Sequence, residues 1–250
     1  MKLGISQLAF NTDEDFESFI SILKENSILN IEIVFPKIIS WKNVDLIYLK
    51  KYINKLHKLG FNTLSTQSIT YNTPLKSFCD ESFIEHISQI SDLCKITNTK
   101  IMVLGAPKLR DIYNESILIN NFSKIDFYLK KNNQILCIEP NNSWHGGKFF
   151  LYLDEIVSFI KKGNFTNIKT MIDTHNIIKE NKNPADEFII YQEYISHVHV
   201  SEDNLDSFKV SNLHIELKNC LEKENYENLI VYETKICENI KEFKNTYSKN

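Results

Sequence analysis

Short β-branched and aliphatic runs alternate along this chain with longer stretches in which apolar residues recur every three or four positions. The short runs have the length of buried strands, and there are eight of them: Lys2 to Gln7, Asn30 to Phe35, Phe61 to Gln67, Lys100 to Gly105, Ile135 to Glu139, Lys169 to Asp173, His197 to Ser201 and Leu229 to Glu233. The longer stretches predict amphipathic helices over Asp13 to Glu25, Val44 to Leu59, Glu81 to Ile96, Glu115 to Lys131, Leu151 to Lys162, Asn212 to Glu224 and Glu238 to Tyr247. Between the sixth and seventh strands, Asn183 to Tyr194 carries the weakest helical pattern of the set.

Strand-helix alternation is what a parallel sheet with crossover helices produces. Eight such units in 250 residues, with no Gly/Ser-rich linker and no shift in composition, predict an α/β fold: a (β/α)8 barrel with a closed, parallel, eight-stranded sheet and a single domain over residues 1–250. An open doubly wound sheet is the alternative. Only six glycines are present, with neither GxGxxG nor GxxxxGK[ST], so the glycine-rich phosphate cradles of nucleotide-binding sheets are absent.

Composition narrows the class further. A formal net charge of -3 argues against a general nucleic-acid binder, and Lys50-Lys51 and Lys130-Lys131 fall within helical patterns, as solvated faces do. No segment approaches the ~18 consecutive apolar residues of a membrane span. The opening MKLGISQLAF reads as a strand rather than a signal peptide. Five scattered cysteines without a CxxC pair indicate neither a disulfide framework nor a thiolate zinc site, so a reducing cytoplasm is expected.

In a parallel barrel the carboxyl ends of the strands build the active site. Four of the expected strands end on, or run through, an ionisable residue after an apolar run: Glu139 in IleGluPro, Asp173 in IleAspThrHis, His199 in HisValHisValSer and Glu233 in ValTyrGlu. Asp173 alone reads equally well as a helix cap. Three carboxylates buried together repel one another and lose hydration unless a cation compensates, and with one imidazole they form a donor set suited to a single divalent metal ion, Mn2+, Mg2+ or Co2+.

The series IleGluProAsn, IleAspThrHisAsn, HisValHisValSerGlu and TyrGluThrLys resembles the sugar isomerase/epimerase superfamily of xylose-isomerase-like barrels along essentially the whole chain. That resemblance implies the barrel fold, Glu139, Asp173, His199 and Glu233 as metal ligands, and a hydroxy-carbonyl substrate, often a sugar or sugar derivative. Many members carry Asp-x-x-His after strand six; here Asn176 stands in place of that His, and an amide orients a hydroxyl but transfers no proton near neutral pH. His175 is a possible substitute. His197, one layer below His199, reads as a buried supporting residue.

Further polar residues lie at other strand ends. Lys108 and Arg110 after strand four suit a carboxylate or phosphate, Gln67 and Ser68 suit substrate hydroxyls, and Trp144 and His145 lie in a glycine-containing loop after strand five. Glu32 and Gln7 are weaker candidates. The expected reaction is proton transfer beside a carbonyl, through a metal-stabilised enediolate, with Glu139 and Glu233 as the catalytic pair on a small-molecule sugar. Epimerisation, aldose-ketose isomerisation and dehydration all follow from that chemistry. Two rivals are an abasic-site endonuclease of the same fold, whose extra metal ligands are not evident because His57 and His86 fall in helices, and a non-catalytic sugar-binding barrel. The expected partners are small molecules rather than nucleic acid or membrane, with a homo-oligomer possible.

Overall fold

The computed structural model describes residues 1–10 and 13–248. Eight strands, β1 (Lys2–Ser6), β2 (Asn30–Val34), β3 (Ser65–Gln67), β4 (Ile101–Leu104), β5 (Ile135–Ile138), β6 (Ile168–Asp173), β7 (Ile195–Ser201) and β8 (Leu229–Glu233), pair in sequence order, all parallel, and β8 closes on β1. The closed barrel settles the choice against an open sheet. The helices around it are α1 (Asp13–Glu25), α2 (Phe35–Ile38), α3 (Leu46–Lys58), α4 (Glu81–Thr97), α5 (Glu115–Asn132), α6 (Leu153–Gly163), α7 (Thr174–Lys179), α8 (Pro184–Tyr191), α9 (Asn212–Lys223) and α10 (Ile240–Tyr247). The weak segment before β7 is helical as α8, started by Pro184 and by Asn183, whose side chain accepts from Ala185 N.

Two details depart from the expected elements. β3 is three residues long rather than seven, because only Ser65 to Gln67 pair regularly; Asn62 makes an isolated bridge to Asn30. The short helices α2 and α7 follow β2 and β6 directly, where a strand ends in a side chain or ring that starts a helical turn: Pro36 in α2, and Asp173, which accepts from Asn176 N at 2.8 Å, before α7.

The period-two alternation of each strand divides the interior. Leu3, Ile5, Ile31, Ile33, Met102, Leu104, Ile138, Ile172, Val198, Val200 and Ile230 join the large cluster shared with the helices. The alternate residues Ile101, Val103, Cys137 and Met171 form a separate small cluster inside β4 to β6. On the other side of the barrel interior, the same alternate positions are polar: Ser6, Glu32, Gln67, His197 and His199, all buried. Helix exits are set locally. Asn98, Asn133 and Asn164 end α4, α5 and α6 in left-handed backbone, a place more often given to glycine, and each N–H closes on the last turn. Among the described residues, no helix is long and apolar enough to cross a membrane.

Candidate metal centre

Register brings the four strand-end groups together. A shift in the β6–β7 pairing between Thr170 and Met171 sets Asp173 directly opposite His199, and the β7–β8 pairing sets Ser201 opposite Glu233. Glu139 follows the last residue of β5. One ligand atom from each of Glu139, Asp173, His199 and Glu233 falls within a single group no more than 4.8 Å across. His199 Nδ1 lies 3.4 Å from Glu233 Oε2 and 3.8 Å from Glu139 Oε1 and makes no hydrogen bond, although it is buried. A buried imidazole nitrogen left without a partner among three carboxylates fits a cation: the set supplies hard oxygen donors and one imidazole, and no thiolate.

The opposite edge of His199 is held from below. Its Nε2 lies 2.8 Å from Glu32 Oε1, and His197 Nε2 lies 2.8 Å from Glu32 Oε2. Gln67 donates from Nε2 to the same carboxylate at 3.0 Å and to Ser6 Oγ at 2.8 Å. Since ionised Glu32 only accepts, both imidazoles present Nε2–H to it, and the Nδ1 lone pair of neutral His199 then faces the three carboxylates. Burial would push the Glu32 carboxyl up, but His199 and His197 with their hydrogen bonds outweigh it and hold the group well below the usual carboxylate range. His197 shifts downward through burial, in spite of Glu32.

Within the cluster the shifts run the other way. Burial, then Asp173 and Glu233, push the Glu139 carboxyl up to about 8, and burial with Glu233 raises Asp173. Burial opposes charge on His199, yet Glu32 and Glu233 raise it well above the ordinary imidazole value. Without a cation, protons do the neutralising. Asp173 also accepts from Ser201 Oγ at 3.0 Å and caps α7, so it is helix cap and cluster member at once.

The cluster opens into a cavity of about 750 Å3, whose walls include Gln67, Lys108, His145, His175 and Asn176. Asn176 donates from Nδ2 to Pro140 O at 3.0 Å, and its Oδ1 lies 3.2 Å from His145 Nε2, so the loop after β5 brings an imidazole against the amide. His175 also faces the cavity, 3.5 Å from Asp203 Oδ1. Lys108 stands exposed at the wall.

Two expected substrate contacts, Arg110 and Trp144, fall outside the cavity, and a third, Gln67, lines it with its amide nitrogen already engaged. Arg110 is fully buried: Nη1 donates to Phe150 O at 2.5 Å, and Nη2 donates to Glu139 O at 2.8 Å, to Leu104 O at 3.2 Å and to Gly105 O. Its fork ties main-chain carbonyls at the ends of β4 and β5 and does not line the cavity. Left-handed Ala106 (φ 51°) turns this segment inward, a conformation that the loop sequence does not announce. Trp144 is 57% exposed outside the cavity, with Lys179 Nζ 5.7 Å from its ring centroid. Gln67 lines the wall, but its amide nitrogen is engaged by Glu32 and Ser6. Glu32 itself, a minor candidate by sequence, is the group that orients His199; its signal was a charge held between Ile31 and Ile33 inside a strand.

Among the described residues, histidines and carboxylates converge in groups of three or more at only two places, this cluster and the Glu32–His197–His199 set beneath it. His57 and His86 lie apart, the first against Thr63 Oγ1 and the second against Ile69 O.

No curated protein matches the chain in sequence. Solved structures share its fold at low identity. A D-psicose 3-epimerase from Clostridium cellulolyticum H10, solved with D-tagatose, superposes with a TM-score of 0.74 at 15% identity, covering 96% of this chain and 89% of its own. An AP endonuclease, family 2, from Brucella melitensis gives 0.75 at 14%, covering 96% and 95%; a probable 3-DHS dehydratase from Bacillus anthracis gives 0.68 at 14%, covering 99% and 97%. Three activities on one backbone at such identities establish the architecture and leave the reaction to the site. The model of the xylose isomerase-like TIM barrel family matches residues 30–244, and the chain belongs to that family.

Proposed function

We propose that the chain is a divalent-metal-dependent isomerase or epimerase of a sugar or sugar derivative. The observation that carries this reading is the convergence of Glu139, Asp173, His199 and Glu233 on one point, with the unpartnered His199 Nδ1 facing it at the floor of a cavity. A bound Mn2+, Mg2+ or Co2+ would polarise the carbonyl of a hydroxy-carbonyl substrate and offset negative charge as a neighbouring C–H is ionised. Glu139 after β5 and Glu233 at the end of β8 stand on either side of Asp173 and His199, so one carboxylate takes the proton and the other returns one to the carbon. Asn141, donating to Glu139 Oε2 at 3.2 Å, orients that carboxylate. His145 and Asn176 act as a linked pair that holds a substrate hydroxyl, with Lys108 at the cavity wall.

Metal content and thermal stability of wild type beside Asp173→Ala and Glu233→Ala test the reading. Stoichiometric uptake of Mn2+, Mg2+ or Co2+ by wild type, lost in both variants, is the expected result. It leads to a screen of ketoses for exchange of carbon-bound hydrogen with solvent, which both variants abolish. A wild type that takes up no metal overturns the proposal and favours a binding barrel.

A further inference from the structure

Between β3 and α4 the chain makes a long connection, and residues 68–73 and Leu75 line one side of the cavity. Ser68 and Asn72 hold left-handed backbone (φ 55° and 59°), which asparagine tolerates but serine keeps only where its surroundings enforce it. Here the surroundings do. His86 Nε2 lies 2.7 Å from Ile69 O, Trp41 donates from Nε1 to Tyr71 O at 2.7 Å, and Thr73 donates from Oγ1 to Thr70 O at 2.8 Å. The Trp41 and His86 rings meet edge to face, 4.9 Å apart, so the two anchors brace each other. The main chain is thus pinned, and Tyr71 is 63% exposed on it, an aromatic face offered at a fixed position.

The carboxylate cluster occupies only the floor at the ends of β5 to β8. A cavity of about 750 Å3 stands toward the upper end of the ~300–1,000 Å3 typical of small-molecule sites, more than one hexose fills. The wall from Ser68 to Leu75 has hydroxyls, an amide, apolar side chains and one phenol, and no charged residue. We infer that this wall is a second subsite for a neutral, polyhydroxylated ring, and that the substrate is a conjugate in which the reacting unit carries a second sugar. The ring stacks on Tyr71 and hydrogen-bonds to Thr70, Asn72 and Thr73. What happens at the floor rests on the function proposed above; binding of the second ring does not.

The test compares, by calorimetry, D-fructose with the glucosyl-fructose disaccharide isomaltulose on wild type, Tyr71→Phe and Tyr71→Ala, with Mn2+ uptake measured on the same samples. The disaccharide is expected to bind wild type about tenfold more tightly, the size of one aromatic stacking contact. Tyr71→Phe retains the preference, and Tyr71→Ala reduces it to within about twofold. Equal affinities, a preference indifferent to Tyr71→Ala, or no binding of the disaccharide overturns the subsite. Failed Mn2+ uptake with the preference intact overturns the metal reading alone, and normal uptake without the preference overturns the subsite alone.

Discussion

At the scale of single residues, Glu32 is the group on which the geometry of His199 depends, although it stands on β2, away from the strands that carry the three cluster carboxylates. Replacing it by Gln keeps the volume but removes the charge that draws an N–H from both imidazoles, so His199 loses its fixed tautomer. We expect Glu32→Gln to weaken Mn2+ affinity by roughly 10–100-fold, the usual cost of losing an outer hydrogen-bond partner of a ligating His. Titration calorimetry reads this directly; unchanged affinity would show that His199 needs no such partner. Gly105 has a different kind of importance. A Cβ there would stand 2.5 Å from Glu139 Oε2, so Gly105→Ala must push that carboxylate aside. A loss of metal affinity with little change in the metal-free melting temperature is the expected pattern.

At the scale of elements, the carboxyl ends of β4 and β5 are clamped by Arg110 rather than by side chains of the strands themselves. The guanidinium lies about 6 Å from the Phe78 and Phe150 ring centroids (6.0 and 5.9 Å), and its donors close several carbonyls that would otherwise be buried without partners. Arg110→Met fills similar space but orphans those carbonyls, and should destabilise the fold by about 3 kcal/mol or more in denaturant unfolding. A change below about 1 kcal/mol would mean that water replaces the clamp. That Arg110 is structural was not legible in the loop GlyAlaProLysLeuArg, because a basic pair after a barrel strand looks the same whether the chain runs outward or turns inward at Ala106. By contrast, the helices were legible, since their apolar spacing and their Asn or Asp starts are local properties; Asp45, for instance, caps α3 by accepting from Ile47 N and Tyr48 N.

At the scale of the whole molecule, the cluster ties stability to pH and to metal. In the metal-free protein Glu139 titrates near 8 against an ordinary value of 4.5, so folding favours its protonated form. The stability this contributes is complete below about 4.5 and disappears as pH rises through 8; the raised Asp173 and His199 act in the same direction. A cation needs these groups deprotonated, so its affinity rises over the same interval. The melting temperature of chelator-treated protein should therefore fall between about pH 7 and 8.5, above the range in which the lowered His197 acts in the opposite direction, while Mn2+ offsets the fall. At a hundredfold excess over Kd, the cation adds about 2.7 kcal/mol, or roughly 5–10 °C for a chain of this size. A gap between the two curves that does not widen with pH would contradict the protonated cluster.

What the amino-acid order determined by itself was everything carried by short-range pattern. Period two and period 3.6 marked eight strands and their helices, and ionisable residues closing apolar runs marked Glu139, Asp173, His199 and Glu233. Only the tertiary structure decided which groups meet across the barrel. Glu32 and His197 are 165 positions apart, and nothing local tells a strand that its inward carboxylate will face two imidazoles rather than a ligand. The inward turn of Arg110, the outward placement of Trp144 and the His145–Asn176 contact have the same origin, because side-chain direction at a loop depends on backbone dihedrals and on the packing that stabilises them, and both arise only once the sheet has closed.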